Sequence, residues 1–107
     1  MVNRGDIFWA DLGEPAGRRP VCVVTRNTAI EVLNSVTCAP ITRTIRGIRS
    51  EVEIGPAEGL PESCVVSCDN LITIAKSVLG PQAIGALTLP QRAQLDSALR
   101  YSLGILY

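Results

Sequence analysis

The chain has 107 residues, 47% of them hydrophobic, which fits one globular domain over 1–107 and leaves no room for a separate regulatory module. It has zero formal charge and no histidine, which excludes a Ser-His-Asp triad, a Cys-His dyad and paired-histidine RNA cleavage. The charge is unevenly spread: up to residue 50, arginines 4, 18, 19, 26, 43, 46 and 49 stand against four acids, whereas the remainder holds six acids and three bases. A protein neutral overall can therefore carry a local anion-binding face.

In chain order, Asp6–Leu12 (DIFWADL) predicts a first strand, with Ile7 and Trp9 on one face and Phe8, Ala10 and Leu12 on the other. Trp9 lies mid-strand and is read as core or dimer packing. Residues 13–19 (GEPAGRR) form a turn-rich connection, after which Pro20 opens a buried second strand over VCVVT. Asn27–Leu33 predicts one or two helical turns capped by Asn27 or Thr28. Ser35–Thr42 reads as a third strand, in which Pro40 calls for an edge or a bulge.

Residues 43–50 (RTIRGIRS) hold three arginines, a glycine and no acid, the composition of an exposed loop. Glu51–Ile54 alternates as a half-exposed strand, 55–63 is a loop rich in Gly and Pro, and Cys64–Cys68 is a buried strand ending at Asp69-Asn70. Val78–Leu87 predicts a last strand interrupted by Gly and Pro. Thr88-Leu89-Pro90-Gln91 has capping-box spacing and opens a C-terminal helix with a stripe of Leu95, Leu99, Leu103 and Leu106. Arg92, Asp96 and Arg100 stand on another side, spaced to pair. Five or six strands followed by one helix indicate an α+β, mainly β fold: a small barrel with a helix on one face.

The N-terminus lacks the apolar stretch of a signal peptide and no apolar run is long enough for a membrane span, so a cytoplasmic protein with reduced thiols is expected. Cys22, Cys38, Cys64 and Cys68 are then read as small buried side chains. They form no Cys-x-x-Cys pair, and neither metal nor cofactor is expected.

No Gly-rich phosphate loop follows a strand, and the acids do not cluster as a two-metal site would need. Arginine, threonine, serine and aspartate at strand ends remain. These suffice for RNA, whose own 2′-hydroxyl can attack the adjacent phosphate if cationic donors stabilise the crowded phosphorane.

These residues meet a family. Arg4-Gly5-Asp6-Ile7-Phe8-Trp9-Ala10-Asp11-Leu12 resembles the first strand of MazF/PemK-type (Kid-like) toxins, the ribonucleases of bacterial toxin–antitoxin pairs. Arg18-Arg19-Pro20-Val21-Cys22-Val23-Val24 resembles their Arg-Pro-Val strand, and Ala39-Pro40-Ile41-Thr42 the strand that ends in Thr or Ser. Cys68-Asp69-Asn70 is similar to a Cys-Asp-Gln tract of the PemK/Kid branch. The resemblance implies a small SH3-like β-barrel with a C-terminal amphipathic helix, assembled as a homodimer. It further implies a groove for single-stranded RNA that a cognate MazE-like antitoxin fills.

Carried over by position, Arg19 is the catalytic arginine and Thr42 contacts the scissile phosphate or orients the 2′-hydroxyl. Asp69 falls where the PemK/Kid branch has a proposed general base. That branch has an arginine two residues earlier, where this chain has Ser67, which shifts weight to Arg19 and Thr42. Arg18, Arg43, Arg46, Arg49, Ser67 and Asn70 are the candidate RNA contacts. The implied activity is sequence-specific, metal-independent endoribonuclease cleavage of the mRNA-interferase type, leaving 2′,3′-cyclic phosphate and 5′-hydroxyl ends and arresting growth. Two rivals are a gyrase-binding toxin of the CcdB type and an inactive RNA- or antitoxin-binding module. Against the first, the end Ser102-Leu103-Gly104-Ile105-Leu106-Tyr107 lacks the Trp-Gly-Ile that such toxins use.

Overall fold

The computed structural model describes residues 1–106. Seven antiparallel strands run β1 (Asp6–Asp11), β2 (Arg18–Val23), β3 (Ser35–Thr42), β4 (Glu51–Ile54), β5 (Cys64–Ser67), β6 (Ile72–Ala75) and β7 (Gly85–Ala86). A short helix, α1 (Asn27–Ile30), follows β2, and α2 (Leu89–Leu103) closes the fold. The strand order is β4-β5-β3-β2-β1-β7, with β6 also on β3. The sheet curls into a half-barrel with the C-terminal helix packed on it, the architecture expected.

The curl makes two cores. Ile7, Cys22, Ala39, Ile41, Val66 and Leu95 are among the residues of the first. Phe8, Ala10, Val21, Val23, Cys38 and Leu79 belong to the second. Alternating residues of β1 and β2 thus enter opposite cores, which is why VCV reads as an unbroken apolar run: this strand is buried on both faces. The four cysteines are free and buried. Burial pushes the thiols of Cys22 and Cys38 up to about 12 and that of Cys68 to about 11, so they stay neutral and unreactive.

Several local expectations change. β2 begins at Arg18, so Pro20 is its third residue and not its first. Pro40 sits in a central strand, not at an edge or a bulge. It falls where β3 leaves β6, after Cys38↔Ile72, and takes up β5, at Ile41↔Val66. Because Val24 N donates to Thr37 O, strand alternation turns residues 37, 39 and 41 toward β2 and Pro40 toward that gap, where no N–H is required. The α1 cap is Arg26, without a side-chain bond; Asn27 Oδ1 instead accepts from Arg4 N at 2.7 Å.

β6 has no counterpart in the predicted elements, although its Ile-Thr-Ile alternation is a strand signal. The expected strand over 78–87 shrinks to Gly85–Ala86. Gly80 N and Ile84 N still donate to Trp9 O and Ile7 O, and the stretch around Pro81 between them leaves the ladder. The capping box at Thr88 forms as expected, with Thr88 and Gln91 satisfying one another's backbone N–H.

Of the leucine stripe, Leu95 is fully buried and Leu99 packs on the core, but Leu103 is exposed and Leu106 lies beyond the helix. The seam instead follows Leu95, Ala98 and Ser102, whose hydroxyl donates to Cys68 O at 2.8 Å. Asp96 pairs with Arg4 at 2.8 Å, and not with Arg92 or Arg100.

Candidate active site

The β1–β2 hairpin builds one side of the site. Its register sets Trp9 against Pro20 and Ala10 against Arg19, and the turn closes through Leu12 N→Gly17 O at 2.9 Å. β2 pairs with β3 through Val21↔Pro40. The pairing ends there, so Arg19 and Pro20 of β2 and Ile41 and Thr42 of β3 lie just beyond it, where the two strands reach the rim. Successive side chains alternate across the sheet, so Trp9, Pro20 and Ile41 belong to the face of the first core and Arg19 and Thr42 to the opposite one, and the five come together only at the rim.

These five line a cavity of 240 Å³, to which Leu60 and Pro61 add apolar surface and Arg18, Arg43 and Glu62 add charge. A second cavity of 190 Å³ shares Thr42 and adds Pro40, Thr44, Arg46, Ser67 and Asn70. Thr42 is the residue that the two cavities have in common. Larger, more open clefts of 670 and 590 Å³ lie elsewhere, one between residues 47–53 and α2 and one beside α1. Each contains only one arginine, Arg49 beside two glutamates in the first, and a third cleft of 420 Å³ at the end of α2 holds Arg49 and Arg100 but neither a threonine nor a strand-end residue.

Hydrogen bonds show what each side chain has left to offer. Arg19 Nε donates to Ala16 O at 2.8 Å, and among the described residues its two terminal nitrogens have no partner. A guanidinium tethered by Nε with both NH₂ groups free matches a phosphate in fork geometry. Thr42 Oγ1 accepts from Thr44 N at 3.1 Å, which leaves its own proton to donate. Arg43 is partly neutralised by Glu62 at 3.1 Å, an exposed pair worth at most about 1 kcal/mol.

The 43–50 loop is ordered at its base by Glu51 Oε1, which accepts from Arg46 N and Gly47 N. Its last residue, Ser50, is buried and not part of an exposed loop. Ser50 Oγ donates to Asp69 Oδ2 at 2.5 Å. That bond, with the Ser102 hydroxyl dipole as a smaller contribution, holds the Asp69 carboxyl below its ordinary value.

The candidates thus separate. Arg18, Arg19, Thr42 and Arg43 share the first cavity, and Thr42, Arg46, Ser67 and Asn70 share the second. Asp69 lines neither; its carboxylate serves Ser50. Arg49 also lies apart, its guanidinium 4.6 Å from the centre of the Tyr101 ring. Trp9, expected in packing, forms part of the cavity floor with Arg18 stacked 4.5 Å from its ring centre. Sequence reasoning also left out Leu60, Pro61 and Glu62. No local signal marked either Trp9, whose place follows from the pairing of β1 with β2, or the 55–63 loop.

Fold and site define a class: a small curled β-sheet that gathers phosphate-matched side chains and an aromatic ring at its open rim. The chain belongs to the PemK-like, MazF-like toxins of type II toxin–antitoxin systems, whose family model matches residues 3–103. It is 44% identical over 81 residues to endoribonuclease MazF3 of Mycobacterium tuberculosis, covering 76% of this chain and 78% of that protein. It is 39% identical over 80 residues to the probable endoribonuclease MazF5 of the same species, covering 74% and 72%.

Among solved structures it superposes on Mycobacterium tuberculosis toxin MazF-mt6 with a TM-score of 0.87 at 37% identity, over 95% of this chain and 99% of that one. A mycobacterial endoribonuclease in complex with its cognate antitoxin superposes with a TM-score of 0.87 at 29% identity, covering 100% and 99%. The chain is thus an endoribonuclease of this family. No helix among the described residues is long and apolar enough to cross a membrane.

Proposed function

We propose that the protein is the toxin of a type II toxin–antitoxin pair, cutting single-stranded RNA at specific sequences without a metal ion and so blocking translation and growth. The observation that carries this reading is that Arg19, whose terminal guanidinium nitrogens are free, and Thr42 line one cavity. In the reaction the 2′-oxygen bonds to phosphorus, the bond from phosphorus to the 5′-oxygen breaks, and a 2′,3′-cyclic phosphate and a 5′-hydroxyl result. The 2′-hydroxyl proton leaves to water, and the departing 5′-oxygen takes one from water.

Arg19 stabilises the charge that grows on the phosphorane and on the departing oxygen. It acts by charge and hydrogen bonding, since a guanidinium does not give up its proton in a protein. Thr42 donates to the phosphate and fixes its place relative to Arg19. Arg18, Arg43 and Arg46 flank the path of the chain as phosphate contacts, with Ser67 and Asn70 along the second cavity. The working form is a cytoplasmic homodimer, and a cognate antitoxin occupies the groove.

Purified protein incubated with a long mixed RNA in excess EDTA is expected to cut at a short recurrent sequence, with 5′-hydroxyl and cyclic-phosphate ends. Cleavage that requires an added divalent ion, or ends that carry a 5′-phosphate, overturns the mechanism.

In this reading Asp69 is a positioning residue for the arginine loop, not the proton acceptor. Asp69→Asn keeps an oxygen for Ser50, so cleavage is expected to fall by less than about tenfold, against the 100-fold or more that loss of a general base would cause. The same variant has a signature in stability. A carboxyl depressed in the folded state binds its proton more weakly there than in the unfolded chain. It stabilises the fold above the ordinary carboxylate pKa, and that contribution is lost as pH falls through the folded value. Wild type is therefore expected to melt above Asp69→Asn at pH 7, with the gap closing below about pH 4 in thermal melts.

A further inference from the structure

We propose that the Trp9 floor of the cavity is a nucleobase subsite. In this assignment, which rests on the endoribonuclease reading above, one unpaired base of the RNA, next to the phosphate held by Arg19 and Thr42, stacks on the indole. Three observations carry it. First, the indole is a wall of the cavity that holds the catalytic pair and is not closed over by the core: Trp9 is half-buried in a strand whose neighbours Phe8 and Ala10 are buried.

Second, the ring face already carries a flat, delocalised group, the Arg18 guanidinium 4.5 Å from its centre. Arg18 is exposed, and no hydrogen bond or ion pair of its side chain is found among the described residues. It can swing aside or close over an inserted base, which puts a π-face on one side and a guanidinium on the other, both surfaces on which bases stack. Third, the cavity has the size and lining of a single ring-system site. Its 240 Å³ is below the roughly 300–1,000 Å³ of drug-sized ligand sites, and Pro20, Leu60 and Pro61 make its remaining walls apolar. A paired base cannot present its face to such a slot, so the subsite selects single strands. The arginines of the cavity favour a phosphate-bearing ligand over an uncharged peptide side chain.

Trp9 is the chain's one tryptophan, so intrinsic fluorescence reports on this subsite alone. The probes are the all-2′-deoxy copy of a mapped cut site, which lacks the nucleophile and is not cleaved, and copies with one abasic position each. A 5′ label follows binding by polarisation. The intact strand is expected to quench Trp9, and one abasic copy to bind with the quench lost. Trp9→Phe is expected to bind within about threefold of wild type and Trp9→Leu about 10- to 100-fold more weakly, with relaxed preference at that same base.

Binding of the intact strand with no change in fluorescence overturns the subsite. Equal quenching by every abasic copy, or quenching by an antitoxin peptide alone, also overturns it. The abasic comparison uses wild-type protein, so it stands whatever the substitutions do to folding. RNA cleavage without quenching removes the subsite and leaves the endoribonuclease intact; absence of any cleavage removes both.

Discussion

Arg19→Ala is expected to lower RNA cleavage by about three orders of magnitude while the protein remains folded. The size follows from what the side chain does. Among the described residues of the cavity, its guanidinium alone is tethered, through Ala16 O, and still presents two free NH₂ groups. Arg43 is engaged with Glu62 and Arg18 with the Trp9 ring, so neither is placed to take over. Charge that develops only in the transition state is stabilised by a donor already in position, and removing one such donor costs about 100- to 1,000-fold.

The fold should scarcely register the change. Arg19 is exposed, and surface substitutions away from special features usually fall within about 0.5 kcal/mol. Initial rates on a labelled RNA containing the cut site, with a melting curve for each protein, check both halves. A folded Arg19→Ala that cuts at the wild-type rate ends the mechanism. Thr42→Val, which loses the hydroxyl but keeps the shape, is expected to be impaired less.

Gly85→Ala has the largest expected effect on stability. A Cβ on Gly85 would stand 1.8 Å from Glu58 O, and one on Gly59 would stand 2.1 Å from Ile84 O. Each glycine therefore admits the other's neighbouring backbone: the 3-10 turn Pro56–Glu58 is pressed against β7, which is itself fastened to β1. Both contacts are with backbone, so no side chain can rotate away. Relief requires moving the 55–63 loop or breaking β7 from β1.

About 3 kcal/mol is the expected cost, from overpacking of this kind, and at this chain length it lowers Tm by about 15 °C. Cleavage should fall as well, because the displaced loop supplies Leu60 and Pro61 to the cavity wall. Gly13→Ala is the control: its φ is +73°, but nothing lies within 4 Å of an added Cβ, so only the strained backbone is felt, about 1 kcal/mol. Thermal melts of both variants check the difference. Equal melting temperatures would show that the close approach is not rigid.

How much of this was legible beforehand depended on how local the cause was. β1, β3 and the Thr88 cap follow from patterns within a few residues, and each appears at or within one residue of its predicted start. β7 failed because Pro81 lies in a stretch whose only ladder partner is the distant β1. The leucine stripe failed past Leu99 because a helix buries only the turns that have a partner, and α2 outruns the sheet.

The same division holds at the site. Sequence alone determined the chemistry on offer: no histidine, a surplus of arginine in the first half, Arg19 before a strand proline, Thr42 at a strand end. Only the tertiary structure decided which of these meet. Strand register is a non-local quantity, set by how distant segments pair and which faces they bury, and a slip of one residue would move every side chain to the other face. Strand pairing brings Trp9, Arg19 and Thr42 to the rim of one cavity, whereas Asp69, past the end of β5, accepts from Ser50 and lines neither cavity.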